Sequence, residues 1–178
     1  MIDLAHGIDA DLDDLEQYVG CHQQEKYRGV RLYWDGAAAW TRQGREIELP
    51  ADWYDAMPAT SLDAELYDGP TGERRCASAV RFGIKHFTKT MRIIAFDCPA
   101  MPDAPWERRI TAARNAVEEA DFDRVEWAPY SRVKSVEAML DSLQQVHDRQ
   151  GEGLILRKPE SLYRPGYSDS IVKLKFAA

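Results

Sequence analysis

Lys26, in the stretch Glu25-Lys26-Tyr27-Arg28-Gly29-Val30-Arg31, is followed by five further clusters of residues equipped for chemistry. They are Thr41-Arg42-Gln43-Gly44, Leu62-Asp63-Ala64-Glu65-Leu66, Ile94-Ala95-Phe96-Asp97, Glu152-Gly153-Leu154-Ile155-Leu156-Arg157 and Val172-Lys173-Leu174-Lys175. Together they offer an amine nucleophile, cations for phosphate, two carboxylates for a metal and an aromatic ring for a base. Such a set suits transfer of a nucleotide onto an amine. A free lysine, with a pKa of ~10.4, is charged at neutral pH, so a site using Lys26 must help it lose its proton.

Each cluster has its own logic and its own plainer reading. Arg28, two residues after Lys26 in extended backbone, is expected on the same side, where its charge favours the neutral amine or holds a phosphate. Gly29 fits a tight bend or close approach of backbone to ligand. Glu65 and Glu152 are expected on or beside strands, converging on Mg²⁺ or Mn²⁺ that bridges phosphate oxygens; solvated strand ends are the alternative. Lys173 and Lys175 alternate with Val172, Leu174 and Phe176, which sends both ammonium groups to one face. Something anionic between them, or an exposed edge strand, accounts for that pair. Phe96 suits purine stacking or the core, and Arg31 and Arg42 suit ribose or phosphate.

The elements that must position these groups are readable in outline. Val30, Leu32 and Trp34 alternate with polar residues, Asp35-Gly36 makes a turn, and Ala37 to Thr41 returns as a hairpin. Pro50 leads into a short helix around Asp52 to Met57, and Ser61 to Tyr67 is a strand. Trp106, Ile110, Ala113, Val117 and Ala120 share one helix face, as do Val136, Met139, Leu140, Leu143 and Val146 in a second helix. Arg92 to Phe96 and Leu154 to Leu156 fit buried strands. The irregular alternation, with hairpin turns, favours an α+β fold with two antiparallel sheets flanked by helices.

Composition sets the limits. The 178 residues suit one domain, and 44% apolar with 30% charged residues is ordinary globular composition. No apolar run approaches the ~20 residues of a membrane span, and the acidic N-terminus lacks the features of a signal peptide, so a cytoplasmic location in a bacterial or phage-infected cell is expected. Cys21, Cys76 and Cys98 are few and far apart, which fits free thiols rather than a zinc site. The net charge of −7 is unevenly spread: residues 1–20 hold six acidic side chains and no basic one, leaving 24 acidic against 23 basic residues elsewhere. From Arg74 to Arg92 there are six basic residues and no acidic one. Arg81, Lys85, Lys89 and Arg92 fall on one face if that segment is helical, a stripe able to follow a DNA backbone.

The order of the clusters resembles that of the covalent nucleotidyltransferases, and most closely the adenylation domain of small phage and bacterial ATP-dependent DNA ligases. The resemblance runs from the Ala5 region to Phe176. Glu25 to Arg31 with Tyr33-Trp34-Asp35-Gly36 looks like the first ligase motif and its hairpin, and Leu62 to Leu66 like the family's Leu-Asp-Gly-Glu-Leu. Glu152 to Pro159 with Ser161-Leu162-Tyr163 is the closest local match, and Lys173-Leu174-Lys175 looks like the last motif. The resemblance implies that Lys26 carries AMP as a phosphoramidate while Glu25 and Phe96 contact adenine. It implies Arg31 and Arg42 on ribose and phosphates, Glu65 and Glu152 on ribose and metal, and Lys173 with Lys175 on the α-phosphate. ATP is the implied donor, a divalent metal the implied cofactor and nicked duplex DNA the implied partner.

Three departures accompany the resemblance. Arg28 stands where the family's Lys-x-Asp-Gly has aspartate, Ala64 stands where it has glycine, and the chain stops at Ala178, where relatives continue into an oligonucleotide-binding-fold domain. A single adenylation domain over residues 1–178, with that second domain absent or supplied by a partner, is the expectation. Arg28 is expected, by crowding the α-phosphate and by loss of the family's carboxylate, to make adenylation slow or absent, so that Arg28→Asp increases labelling. Two rival readings are a nick- or end-binding accessory module that has lost its chemistry, and an RNA ligase or capping-type nucleotidyltransferase.

Overall fold

The computed structural model describes Ile2 and residues 4–176. In chain order its first elements are β1 (Ala5–Asp9), β2 (His22–Lys26), β3 (Val30–Trp34), β4 (Ala39–Trp40), β5 (Glu46–Ile47), α1 (Ala51–Ala56), β6 (Leu62–Tyr67) and α2 (Glu73–Phe82). There follow β7 (Arg92–Asp97), α3 (Trp106–Ala120), β8 (Val125–Trp127), β9 (Tyr130–Arg132), α4 (Val136–Asp148), β10 (Gly153–Arg157) and β11 (Gly166–Lys175). One sheet runs β1-β11-β10-β2-β9 and the other β5-β4-β3-β6-β7-β8. The α+β architecture is as expected from sequence, with one refinement. Each sheet ends in a parallel pair, β1 with β11 and β7 with β8, while the remaining pairs are antiparallel. Helix α3 carries the chain from β7 to β8, the crossover that a parallel pair requires.

Period-two alternation divides each sheet into an outer face under helices and an inner face. In β10 and β11, Leu154, Leu156, Val172 and Leu174 join Met139, Leu143 and Val146 of α4 in one core. In β3, β6 and β7, Leu32, Trp34, Leu62, Ala64, Leu66, Ile93 and Ala95 join Trp106, Ile110, Ala113 and Val117 of α3 in another. Fully burying a side chain of this size contributes about 1.5–3 kcal/mol, so these two cores fix which residues turn inward. What turns inward is polar: Lys26 and Gln24 from one sheet, Arg31, Asp63 and Glu65 from the other.

Two expectations about helices change. In α4, capped by Ser135 Oγ accepting from the Ala138 amide, the buried stripe is narrower than expected, and Leu140 is 42% exposed. The basic segment is not a single helix face. Helix α2, which the sequence reading left unassigned, ends at Phe82, because Gly83 adopts a φ of 86° that breaks the ladder. A short 3-10 turn follows at Ile84–His86, and Arg92 opens β7, where it is paired with Glu126 at 2.6 Å. Cys21, Cys76 and Cys98 are buried free thiols. Among the described residues no helix is long and apolar enough to cross a membrane.

Candidate active site

A cavity of about 330 Å³ lies between the inner faces of the two sheets. One wall is Ala5, His6 and Gly7 of β1, Gln24, Glu25 and Lys26 of β2, Ile155 and Arg157 of β10, and Ile171 and Lys173 of β11. The opposite wall is Arg31 of β3, Glu65 of β6 and Phe96 of β7, with Arg42 at the β4–β5 turn. The size is at the lower end of the ~300–1,000 Å³ usual for small-molecule sites.

Lys26 is the last residue of β2, and its Nζ lies 2.6 Å from Glu152 Oε2. Antiparallel pairing of β2 with β10 sets Lys26 opposite Gly153, which places the residue before Gly153 at the lysine's tip. Gly153 is required there: with φ of 152°, a Cβ would stand 2.2 Å from the Leu174 carbonyl oxygen. The other Glu152 oxygen is 3.9 Å from Lys175, and both Lys173 and Lys175 reach Asp9, at 3.5 and 4.0 Å. The anionic partners between the two lysines are thus protein carboxylates, one of them from the acidic N-terminal segment.

Glu65 faces the cavity from β6 and accepts a hydrogen bond from the Gly29 amide at 3.0 Å. Burial pushes its carboxyl up to about 7, against the pull of Lys26 and the Gly29 amide. Gly29 is fixed by space, since a Cβ would meet the Leu66 carbonyl oxygen at 2.0 Å. Arg31, opposite Glu65 in the β3–β6 register, is clamped by Asp63 through Nε at 2.9 Å and Nη2 at 2.5 Å. Burial works against the Arg31 charge, but the Asp63 carboxylate outweighs it and holds the guanidinium above its ordinary range. Tyr163 Oη donates to the same carboxylate at 2.7 Å. Phe96 lies under the guanidinium carbons of Arg31 and Arg157, each 5.6 Å from its ring centre.

Lys26, Arg31, Arg42, Glu65, Phe96 and Lys173 therefore share one cavity, with Glu152 and Lys175 joined to it through ion pairs. Glu25 borders the cavity, but its carboxylate is not aimed at Lys26. It stands opposite Leu154, on the face covered by α4, and accepts from Arg149 at 2.7 and 3.1 Å. The residue on the Lys26 face is Gln24, opposite Ile155, 3% exposed, its Nε2 donating to the Ala128 carbonyl at 3.0 Å. Its Oε1 is buried without a hydrogen-bond partner. Sequence parity contained that signal, since Gln24 and Lys26 are two apart in one strand. Arg28 also departs from expectation. Extended pairing stops at Lys26, so Arg28 lies in the connection to β3, exposed, bordering no part of the cavity and making no ion pair among the described residues.

The donor set can be tested against a divalent metal and a nucleotide. Glu65 and Glu152 are hard oxygen donors, and among the described residues no third acidic, histidine or cysteine side chain joins them in a cluster able to enclose a metal. Two carboxylates completed by phosphate oxygens and water match the usual habit of Mg²⁺. Phe96 and Ile155 give apolar surface for a base, Gln24 Oε1 an unused acceptor, and Arg31, Arg42 and Lys173 positive charge for phosphates. The residues fit both groups.

A family model of the ATP dependent DNA ligase domain matches residues 69–175. A DNA ligase of Haemophilus influenzae is 30% identical over 164 residues, covering 89% of this chain and 59% of that protein. Among solved structures, a Lig E DNA ligase, described as binding DNA with a minimal scaffold, superposes with a TM-score of 0.88 at 27% identity. That match covers 99% of this chain and 69% of the Lig E chain. Chlorella virus DNA ligase-adenylate follows with a TM-score of 0.80 at 17% identity, covering 97% of this chain and 67% of that one, a likeness of fold. The chain spans just under three fifths of the Haemophilus ligase and belongs, by its sequence, to the ATP-dependent DNA ligase domain family.

Proposed function

We propose that this domain performs the nucleotidyl-transfer chemistry of an ATP-dependent DNA ligase, with Lys26 as the nucleophile. The observation that carries the reading is the position of Lys26 between Glu152 and the cavity that also holds Glu65, Arg31 and Phe96. In the first step the Nζ lone pair of Lys26 attacks the α-phosphorus of ATP, the bond to the pyrophosphate oxygen breaks, and pyrophosphate leaves. Glu152 orients the amine and is the nearest base for the proton it sheds. Arg31, held by Asp63, and Lys173 offset the charge that grows on the α-phosphate oxygens. A divalent metal, held by Glu65 and Glu152, supplies charge neutralisation of the phosphates when bound. AMP then passes from Lys26 to the 5′-phosphate of nicked duplex DNA, with cleavage of the N–P bond. Attack by the adjacent 3′-hydroxyl seals the strand and releases AMP.

In this reading Phe96 and Ile155 sandwich the adenine and Gln24 Oε1 accepts from its amino group. A guanine would present an oxygen to that acceptor, so ATP is favoured over GTP. Arg28 is exposed and borders no part of the cavity, so in this reading it does not crowd the α-phosphate. For the DNA-dependent steps the proposal includes an oligonucleotide-binding module, on this polypeptide or on a partner. Incubation with α-labelled ATP and, separately, GTP tests the reading. Label from ATP that is lost in Lys26→Ala supports it. Label from GTP alone turns it toward the capping type, and no label from either nucleotide toward a binding module.

A further inference from the structure

We infer that Asp9 is a positioning residue for the nucleotidyl transfer: its carboxylate stands in for a phosphate at Lys173 and Lys175, holds both ammonium groups while the site is empty, and yields them to the nucleotide. The inference rests on the ligase reading and deepens it, adding a residue of β1 to the phosphate end of the site.

The register of two strands puts Asp9 there. In the parallel β1–β11 pair, Ala5 is opposite Gly166 and Gly7 opposite Ser168; then, across a bulge, Ile8 is opposite Val172 and Asp9 opposite Lys173. The bulge skips Asp169, Ser170 and Ile171, and without it Asp9 would fall opposite Ser170, away from the lysines. Gly7 permits the close approach, because a Cβ there would stand 2.7 Å from the Ile171 carbonyl oxygen. Past the bulge the Ala10 amide donates to the Lys173 carbonyl at 2.9 Å, which ties the end of β1 to the lysine's own backbone.

Charges then alternate along a row. Lys26, Glu152, Lys175, Asp9 and Lys173 follow one another with N–O separations of 2.6, 3.9, 4.0 and 3.5 Å. Glu152 already meets Lys26. Among the described residues Asp9 is the one carboxylate within 4.0 Å of both Lys173 and Lys175.

The two sides of this contact differ in freedom. The Asp9 side chain is 75% exposed and can swing into water. The lysine stems leave β11 beside buried Val172 and Leu174, so their direction is set by the strand. Charge-assisted hydrogen bonds to a phosphate are shorter and stronger than contacts of this length, so an arriving phosphate takes the lysines. Asp9 still opposes it from nearby. Two unit charges ~4 Å apart in water interact by the equivalent of about a fivefold change in affinity. If Asp9 served only to order the lysines, its loss would weaken nucleotide binding. An exposed ion pair orders its partners little, and here the strand already does so; repulsion is the larger effect.

The test is calorimetric titration of α,β-methylene-ATP into the full chain, at low and at raised salt. Attack by Lys26 cannot break the P–C–P link of this analogue, so binding is read without transfer. Asp9→Asn is expected to bind it about fivefold tighter at low salt, with the gap closing as salt screens the charges. Asp9→Glu, which keeps the charge, is expected to restore the affinity to within about twofold of the unmodified chain. Asp13→Asn removes an exposed acid of the same segment and is expected to leave the affinity unchanged. Losing a merely structural residue would not tighten binding, so the sign of the change separates the two roles. Unchanged or weaker binding in Asp9→Asn, or equal tightening in Asp13→Asn, overturns the inference. Labelling of Lys26 by α-labelled ATP is read in parallel. Label without tightening removes the role of Asp9 alone. Tightening without label keeps Asp9 as the phosphate's stand-in and removes the ligase chemistry, and failure of every version to bind the analogue removes both.

Discussion

Nζ of Lys26 and Oε2 of Glu152 are 2.6 Å apart, joined across the β2–β10 pair, and the second Glu152 oxygen faces Lys175 at 3.9 Å. One carboxylate thus meets two lysines that, in the proposed reaction, act on the same phosphate. Glu152→Gln keeps the shape and removes the charge. Misplacing a reacting group by ~1 Å can cost ~100-fold in rate, and a loss of that order in AMP incorporation is the expected outcome. The thermal midpoint should stay within a few degrees, because the side chain is partly solvated; a variant that labels at the original rate would show that Glu152 is only an ion-pair partner.

Tyr163 and Arg31 converge on Asp63, which is 1% exposed. Tyr163→Phe removes one donor to a buried carboxylate, a change worth about 1.5–3 kcal/mol. Denaturant unfolding should show a loss in that range with an unchanged m-value. ATP should be bound more weakly as Arg31 loosens. Stability equal to the unmodified chain would mean water replaces the phenol fully.

Asp68 supplies a pH-dependent term through the start of α2. Burial pushes its carboxyl up, but hydrogen bonds from Arg75, Thr90 and Thr88 prevail and hold it below the usual carboxylate range. The unfolded chain therefore binds the proton more readily, and the stabilisation is present above an ordinary carboxylate pKa of ~3.9 and disappears as pH falls through the depressed folded value. Asp68→Asn should lower the thermal midpoint by about 5 °C at pH 7, given ~1.5–3 kcal/mol for a charged hydrogen bond and ~2–4 °C per kcal/mol at this size. Once the pH has fallen below the depressed folded value the two proteins should melt alike, when both carry a neutral side chain. A gap that persists in acid would assign the loss to shape rather than charge.

Arg28 is exposed beyond the end of β2, and its replacement should be felt little at Lys26. Surface substitutions usually stay within ~0.5 kcal/mol, so Arg28→Ala is expected to change the AMP incorporation rate by less than about threefold. A large gain in Arg28→Asp would restore the idea that arginine impairs the site.

Much of the fold was legible where a short-range pattern coincided with a turn signal. The β3–β4 hairpin combined alternation from Val30 to Trp34 with Asp35-Gly36, and α3 carried its stripe from Trp106 to Val117 without interruption. The cavity residues were legible because each sits at a fixed parity from a core residue: Glu65 between Ala64 and Leu66, Lys173 between Val172 and Leu174. What was lost depended on position in space. Glu25 and Gln24 differ by one residue and so by one face of β2, and choosing between them requires knowing that α4 covers the Glu25 side. Arg28 was expected on the Lys26 side because nothing local marks where β2 ends, and it lies instead in the connection to β3. Asp9 looked like part of an acidic tail, and only the parallel pairing of β1 with β11 brings it to Lys173 and Lys175. Helix α2 was hidden by its charged composition, in which the run of arginines and lysines suggested one stripe across the break at Gly83.

The central claim is that Lys26 becomes covalently adenylated, and peptide mapping after incubation with α-labelled ATP and Mg²⁺ measures it directly. The account predicts one AMP on the peptide containing Lys26, stable to denaturation, released by acid as expected of a phosphoramidate, and absent from Lys26→Ala. Label on another residue, or a Lys26→Ala protein that labels as well as the original, would contradict it.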